Sequence, residues 1–214
     1  MTVYFISGLG ADRRVFERLR LPENFRAVHL DWIAAQPGET LAGYALRLAE
    51  GIDASEPFAL VGLSMGGMIA TELAKVLQPE KTVLLSSATS VHSLPLLTRI
   101  AGALRAEQFV PASWIKTPSW LAYRMQGAND EASRQLLRAL LHDIDKAFLL
   151  WAMRAILTWK NKTVPPGIIR IHGSADRIIP CKRVPADHVV NGAGHLMVFT
   201  HAEQVSEILE RIFR

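Results

Sequence analysis

The 214 residues read as an α/β protein: a mostly parallel sheet of about six strands, helices on both faces, and a helical cap inserted late in the chain. Three observations support this. Short apolar runs alternate with segments of helical period, the pattern of successive strand–helix–strand units. The runs are apolar almost throughout rather than at every second residue, as expected of strands buried on both faces of a parallel sheet. Between the fourth and fifth runs lie about eighty residues with helical patterning and no convincing strand, far more than an ordinary crossover needs. Half the residues are hydrophobic and 21% are charged, so a core can form, and the length suits one domain carrying an insertion.

Val3-Tyr4-Phe5-Ile6 is the first strand, and Ser7-Gly8-Leu9-Gly10 the turn that leaves it. Asp12 is placed to cap a helix that buries Phe16 and Leu19. The second strand runs from Phe25 to Trp32, and the spacing of Leu41, Tyr44, Ala45, Leu48 and Ile52 predicts a helix. Phe58-Ala59-Leu60-Val61 is the third strand and runs straight into Gly62-Leu63-Ser64-Met65-Gly66-Gly67. The next helix should turn Met68, Ile69, Leu73, Val76 and Leu77 inward and stop before Pro79. Val83-Leu84-Leu85 is the fourth strand, Ile168-Ile169-Arg170-Ile171 the fifth, and Asp187-His188-Val189-Val190 a weaker sixth. A final helix buries Val205, Ile208, Leu209, Ile212 and Phe213, with Thr200 and Glu203 as a capping box. The inserted cap spans residues 93–162, leaving residues 1–92 and 163–214 as the core domain. Trp114, Trp120, Trp151, Trp159, Tyr123, Met125 and Met153 all fall in the cap and suggest an apolar lining for a pocket beneath it, although a tryptophan at helical spacing is core at least as often as ligand contact.

Composition excludes several classes. The net charge is +4, and all the excess lies between Val91 and Thr163, where ten Lys or Arg face five Asp or Glu. Arg99, Arg105, Lys116, Arg124, Arg134, Arg138 and Arg154 are spread out, without interleaved aromatics or a recognition motif, so nucleic acid is not an expected partner. They form either a solvated helical face or a surface for an anionic substrate or partner. A single cysteine, Cys181, excludes a disulfide framework and a cysteine zinc site and suits a reducing compartment. No His/Glu cluster has ligand spacing, so neither a metal nor a cofactor is expected. No apolar run approaches the ~18 residues that cross a bilayer. Met1 to Gly8 lacks the basic and small-residue features of a signal peptide. A soluble, cytoplasmic protein is expected, in an oligomeric state that the sequence leaves open.

Gly62-Leu63-Ser64-Met65-Gly66 places a serine between a strand and a helix with glycine two residues to either side. A strand that turns at once into a helix strains the middle residue and lifts its side chain above the sheet edge. The glycines let the two elements approach. The serine hydroxyl then gains the positive end of the helix, and the amide of Met65 can donate to an anion. A serine needs a base within hydrogen-bond reach, and the base needs an orienting group. Among seven histidines only His195 lies in a glycine-flanked loop, Gly192-Ala193-Gly194-His195, between a strand and a helix. His29, His172 and His188 belong to strands and read as structural; His92, His142 and His201 read as loop or surface residues. The orienting carboxylate is Asp176, after the fifth strand and before Pro180, though a turn or cap would also use an aspartate there. Asp143 and Asp145 lie in the cap, and no acid follows the fourth strand, where Ser86-Ser87-Ala88 stands. The candidate nucleophile, acid and base are therefore Ser64, Asp176 and His195, in the Ser–Asp–His order of one of the known triad arrangements.

On these motifs the chain resembles a capped, serine-nucleophile member of the α/β-hydrolase superfamily, over nearly its whole length outside the cap. Gly62-Leu63-Ser64-Met65-Gly66-Gly67, His172-Gly173-Ser174-Ala175-Asp176-Arg177-Ile178-Ile179-Pro180 and Gly192-Ala193-Gly194-His195 stand where that family keeps nucleophile, acid and base. The resemblance implies an oxyanion hole made by the backbone amides of Leu9 and Met65, although the first oxyanion loop reads Ser7-Gly8-Leu9-Gly10 where the family usually has His-Gly. It also implies that the sheet starts at the family's third strand. The activity implied is hydrolysis of a small, apolar ester or thioester. A serine at the elbow argues against relatives that use aspartate, such as haloalkane dehalogenases and epoxide hydrolases. A lyase resembling the hydroxynitrile lyases, a carbon–carbon bond hydrolase, a ligand-binding receptor of the same fold, and an interaction module using the basic cap remain alternatives. Leu9, Asp12 and Met65 should border the site, Asp12 as a helix cap first. Cys181 is an ordinary small residue beside it.

Overall fold

The computed structural model describes residues 1–94 and 119–214. Trp114, Arg99, Arg105, Lys116 and the rest of the first part of the expected cap lie outside the described residues. Six strands form one sheet: β1 (Thr2–Ile6), β2 (Arg26–Leu30), β3 (Phe58–Leu63), β4 (Lys81–Leu85), β5 (Ile168–Gly173) and β6 (His188–Val190). Their order is β2-β1-β3-β4-β5-β6, and every pairing is parallel. The register sets Ile6 beside Leu30 and Gly62, Leu63 beside Leu85, and Leu85 beside Ile171. All the carboxyl ends therefore come out on one rim. The chain runs outward from β1 to β2 and then returns to β3 on the other side, so the loops after β1 and β3 part from each other at the centre of that rim. Open α/β sheets bind ligands at such a switch point.

Strand side chains alternate between two cores. Val3, Phe5, Ala59, Val61, Leu63, Val83 and Leu85 face one layer, closed by Val15, Phe16 and the C-terminal helices α6 (Met197–Thr200) and α7 (Ala202–Phe213). Tyr4, Ile6, Phe58, Leu60 and Leu84 face the other, covered by α1 (Leu41–Leu48) and α2 (Met65–Ala74). Both faces are thus buried, which accounts for the unbroken apolar runs. In the insertion the described residues form α3 (Trp120–Gln126), α4 (Glu131–Asp143) and α5 (Lys146–Leu157). Helix α3 is capped by Ser119, α4 by Asp130 and α5 by Asp145, each through a side-chain oxygen accepting an amide of the first turn.

Three local expectations change. Asp12 does cap a helix, accepting the Arg14 amide at 2.9 Å, but that helix is a single 3₁₀ turn, Arg13–Phe16, and Leu19 is only partly buried beyond it. Helix α2 ends at Ala74, so Val76 is exposed instead of inward-facing. Thr200 and Glu203 form no capping box. Thr200 closes the short helix α6, and its hydroxyl donates back to the Leu196 carbonyl at 3.1 Å, while α7 starts without a side-chain cap.

Candidate active site

Ser64 stands between β3 and α2 with φ 52° and ψ −116°, a conformation that costs a non-glycine residue about 1–3 kcal/mol. The surroundings impose it. A β-carbon at Gly66 would lie 2.2 Å from the Ile6 carbonyl oxygen, and one at Gly62 would lie 2.4 Å from the Gly66 oxygen. Helix α2 can thus press against β1 and β3 only because both positions lack side chains. Two further bonds fix the turn: the Ser64 amide donates to the Leu85 carbonyl at 3.0 Å, and the Ser87 hydroxyl donates to the Ser64 carbonyl at 2.6 Å. Ser87 holds the elbow from the neighbouring strand end. Sequence reading considered that segment only for an acid and so missed the role.

The Ser64 hydroxyl is 2.9 Å from His195 Nε2, and His195 Nδ1 is 2.7 Å from Asp176 Oδ2. The Asp176 carboxylate is fully buried and the His195 side chain nearly so. Asp176 Oδ1 accepts the amides of Ile178 and Ile179 at 2.8 and 2.9 Å. Its Oδ2 also lies 3.2 Å from Nε2 of His172, which is 2.7 Å from the Ile179 carbonyl. Burial pushes the Asp176 carboxyl up. The charge of His195, the bonds from His172 and His195, and the Ile179 amide together outweigh it and hold the group well below the usual carboxylate range. The acid therefore stays ionised, with both oxygens committed.

His172 is the residue that sequence reading underrated. Its position in β5 does make it structural, but it ends on the acid loop, bridging Asp176 and the Ile179 carbonyl. The sign available was its spacing of four residues from Asp176 across Gly173, where the strand turns back on itself. His29 stacks on Phe16 and lies tilted against Phe5, and burial pushes its imidazole down. His92 and His142 are exposed, and His201 is partly buried beside the Thr200 hydroxyl. Burial, with the charge of Asp176, pushes the Cys181 thiol up, which disfavours the thiolate.

Above Ser64 lies a cavity of about 320 Å³, lined among the described residues by Leu9, Met68, Met125, Leu137, Leu149 and Ile179 together with Ser64 and His195. The Gly8 backbone passes so close that a β-carbon there would lie 3.2 Å from Ser64 Cβ, which brings the adjoining Leu9 peptide to the side of Ser64. Met65 begins α2, so its amide has no carbonyl partner within the helix, and its side chain is fully buried in the core. Asp12 does not border this chamber. It lines a neighbouring cleft and is bonded to Arg14, which also reaches Asp143. Tyr123 and Met125 do line the chamber. The described tryptophans of the insertion do not: Trp159 donates to Glu72 on α2, Trp151 stacks on Tyr44 at 4.3 Å, and Trp120 is exposed. Trp151 and Trp159 each find a site that serves both the flat ring and the polar N–H, Trp151 Nε1 donating to the Glu39 carbonyl and Trp159 Nε1 to Glu72. Among the described residues no group of three or more His, Cys, Asp or Glu is placed to hold a metal ion. Nor is any described helix long and apolar enough to cross a membrane.

The chain belongs to the alpha/beta hydrolase family, whose model matches residues 3–208. Its fold is similar to that of a thermophilic esterase from Thermogutta terrifontis solved with malate bound, with TM-score 0.76 and 19% identity, covering 100% of this chain and 89% of that one. It is also similar to a putative non-heme bromoperoxidase, BpoC, from Mycobacterium tuberculosis, with TM-score 0.71 and 20% identity, covering 99% and 91%. An esterase from Exiguobacterium antarcticum gives TM-score 0.70 and 17% identity, covering 98% and 90%. No curated protein matches the chain.

Proposed function

We propose that the protein is a serine hydrolase that cleaves an ester or thioester of a small apolar acyl group through an acyl-enzyme. The observation that supports this is the continuous relay from Ser64 Oγ through His195 to Asp176, at 2.9 and 2.7 Å, opening on an apolar chamber at the sheet's switch point. His195 Nε2 takes the Ser64 proton as Oγ attacks the carbonyl carbon, and Asp176 holds the Nδ1–H that stabilises the imidazolium. The amides of Leu9 and Met65 receive the oxyanion; one such donor is worth about 10²–10³ in turnover. His195 then passes its proton to the departing alkoxide or thiolate as the acyl bond breaks. A water attacks the acyl-enzyme, giving its proton to His195, and release of the acid restores Ser64. No cofactor takes part.

The chamber's lining fits an uncharged acyl chain, because its described side chains are apolar apart from Ser64, Tyr123, Gln126 and His195 and include no Lys, Arg, Asp or Glu. The residues described around it include neither the lysine nor the threonine that a lyase of this fold would add. The single free Cys181 suits a reducing compartment, and the proposal places the enzyme in the cytoplasm. The partner is the small-molecule substrate alone, with no nucleic acid and no membrane. The arrangement of residues 93–162 as one cap over residues 1–92 and 163–214 belongs to the same proposal. The test is turnover of p-nitrophenyl butyrate together with labelling by a fluorophosphonate. Ser64→Ala should lower turnover by about 10⁵–10⁶ and abolish labelling. Wild-type turnover by Ser64→Ala, or a folded wild-type protein that neither labels nor hydrolyses, overturns the reading.

A further inference from the structure

Beside the chamber a second cleft of about 500 Å³ opens where helix α3 meets the loops that carry His195 and Asp176. Arg124, Arg134 and Arg177 line it, with Trp120 and Tyr123, and no acidic side chain among the described residues does. Tyr123 also lines the Ser64 chamber, and Gly192 and Gly194 of the His195 loop form part of the cleft's wall. We propose that this cleft is the leaving-group subsite and takes a phosphorylated nucleotide, so that the preferred substrates are acyl thioesters of a carrier of the coenzyme A kind. This rests on the serine-hydrolase reading above and names the substrate class for that site.

Charge is the first support. Some of the described arginines sit on carboxylates, Arg14 on Asp12 and Asp143, Arg47 on Glu39, Arg138 on Glu131 and Arg170 on Asp187, and others, such as Arg13, Arg26 and Arg183, have none within ion-pair distance among the described residues; what sets this cleft apart is that three arginines line one cavity. Arg124, Arg134 and Arg177 have no ion-pair partner among the described residues. Glu131 feels Arg134, but its hydrogen bonds go to Arg138 and Gln135. Like charges lining one cleft repel one another, and a bound anion would relieve that repulsion. That the chain's basic excess falls in this segment agrees with such a use.

Geometry is the second. Arg177 donates to the Arg124 carbonyl at 2.9 Å, and Arg134 donates to the Ala128 and Asn129 carbonyls at 3.3 Å. Two of the guanidinium groups are therefore positioned before any ligand arrives, which reduces the ordering cost of binding. The Arg124 guanidinium lies 5.5 Å from the centre of the Trp120 ring, and that of Arg134 lies 5.8 Å from Tyr123. Trp120 is 72% exposed, a large flat ring left in water beside paired cations. A planar base stacking on the indole, with phosphates on the guanidinium forks, uses both features. The placement suits a leaving group because His195, which must protonate it, belongs to the loop that walls the cleft.

Isothermal titration calorimetry of Ser64→Ala protein with adenosine 3′,5′-bisphosphate, inorganic pyrophosphate and adenosine tests the site without turnover. The bisphosphate should bind most tightly, weaken with added salt, and lose about ten-fold or more in affinity in Arg124→Glu and in Trp120→Ala. In the active enzyme, Arg124→Glu should lower kcat/KM for butyryl-CoA by about ten-fold or more relative to its effect on p-nitrophenyl butyrate, whose leaving group carries no phosphate, with a wild-type urea midpoint as the check on folding. Equal affinity for bisphosphate and pyrophosphate, binding that survives both substitutions, or no saturable binding overturns the proposal. Failure of p-nitrophenyl butyrate turnover in the wild type overturns the hydrolase reading instead.

Discussion

Substituting Gly66 by alanine sets the close approach of helix α2 to the sheet against the chemistry at Ser64. The new methyl carbon would stand 2.2 Å from the Ile6 oxygen, 2.3 Å from the Ser7 oxygen and 2.6 Å from the Ile6 carbonyl carbon. Carbon and oxygen atoms rest no closer than about 3.3 Å, so roughly 1 Å of movement is required. Strand β1 is paired on both sides, with β2 and β3, and cannot yield without breaking two ladders. The start of α2 must therefore move, carrying Ser64 away from His195. Overpacking of this kind costs about 1–3 kcal/mol, or about 1 M in urea midpoint at a typical slope. A 1 Å displacement of a reacting group costs about 10² in rate. The assay pairs the urea midpoint with kcat on p-nitrophenyl butyrate, using Gly43→Ala as the control. At Gly43 the nearest atom to a new β-carbon would be Thr40 Oγ1 at 3.5 Å, so that variant should gain up to about 1 kcal/mol from its helix. A Gly66→Ala protein with wild-type midpoint and turnover would refute the steric account of the elbow.

His172→Phe removes the imidazole from Asp176 and leaves the Ile179 carbonyl unpaired. A loss of about 1–3 kcal/mol and a fall in kcat with KM unchanged are expected by denaturation and steady-state kinetics, and wild-type values for both would count against the bridge. Asp176→Asn should reduce kcat by about 10⁴ and flatten the acid dependence of stability. Because the folded carboxyl is held below its ordinary value, the unfolded chain binds more protons, so this contribution is full above about pH 4 and lost as pH falls through the folded value. Urea midpoints at pH 7, 5, 4 and 3 check it: the wild type should lose stability more steeply than the variant. Tyr44→Phe leaves both the Ile33 amide and carbonyl without the phenol that bonds them at 3.0 and 2.9 Å. It should cost about 1–3 kcal/mol with turnover within about two-fold, since the pair is remote from the relay; a loss of turnover at unchanged stability would contradict that separation.

What the chain determines by itself is what short stretches can encode. The five strands with clear apolar runs, the helix that follows Ser64 and the two glycines beside it are local patterns, because burial on both faces and the tight strand-to-helix turn each constrain neighbouring residues directly. Asp176 and His195 were legible for the same reason: each follows a strand, and the carboxyl ends of parallel strands share one rim. Tertiary structure decided what depends on residues far apart in sequence. His172 looks like any strand residue until the register of β5 turns the following loop back onto it, and Ser87 becomes a support for the elbow only because β4 lies beside β3. Trp151 and Trp159 left the expected lining for partners on α1 and α2, because an indole in a close-packed interior goes where both its ring and its N–H are satisfied. The arginine cleft likewise exists only where α3 folds against two loops from the other end of the chain. A rim is implied by strand direction alone, but the walls around it are set by which helices pack there, and packing is a property of the whole volume rather than of any segment.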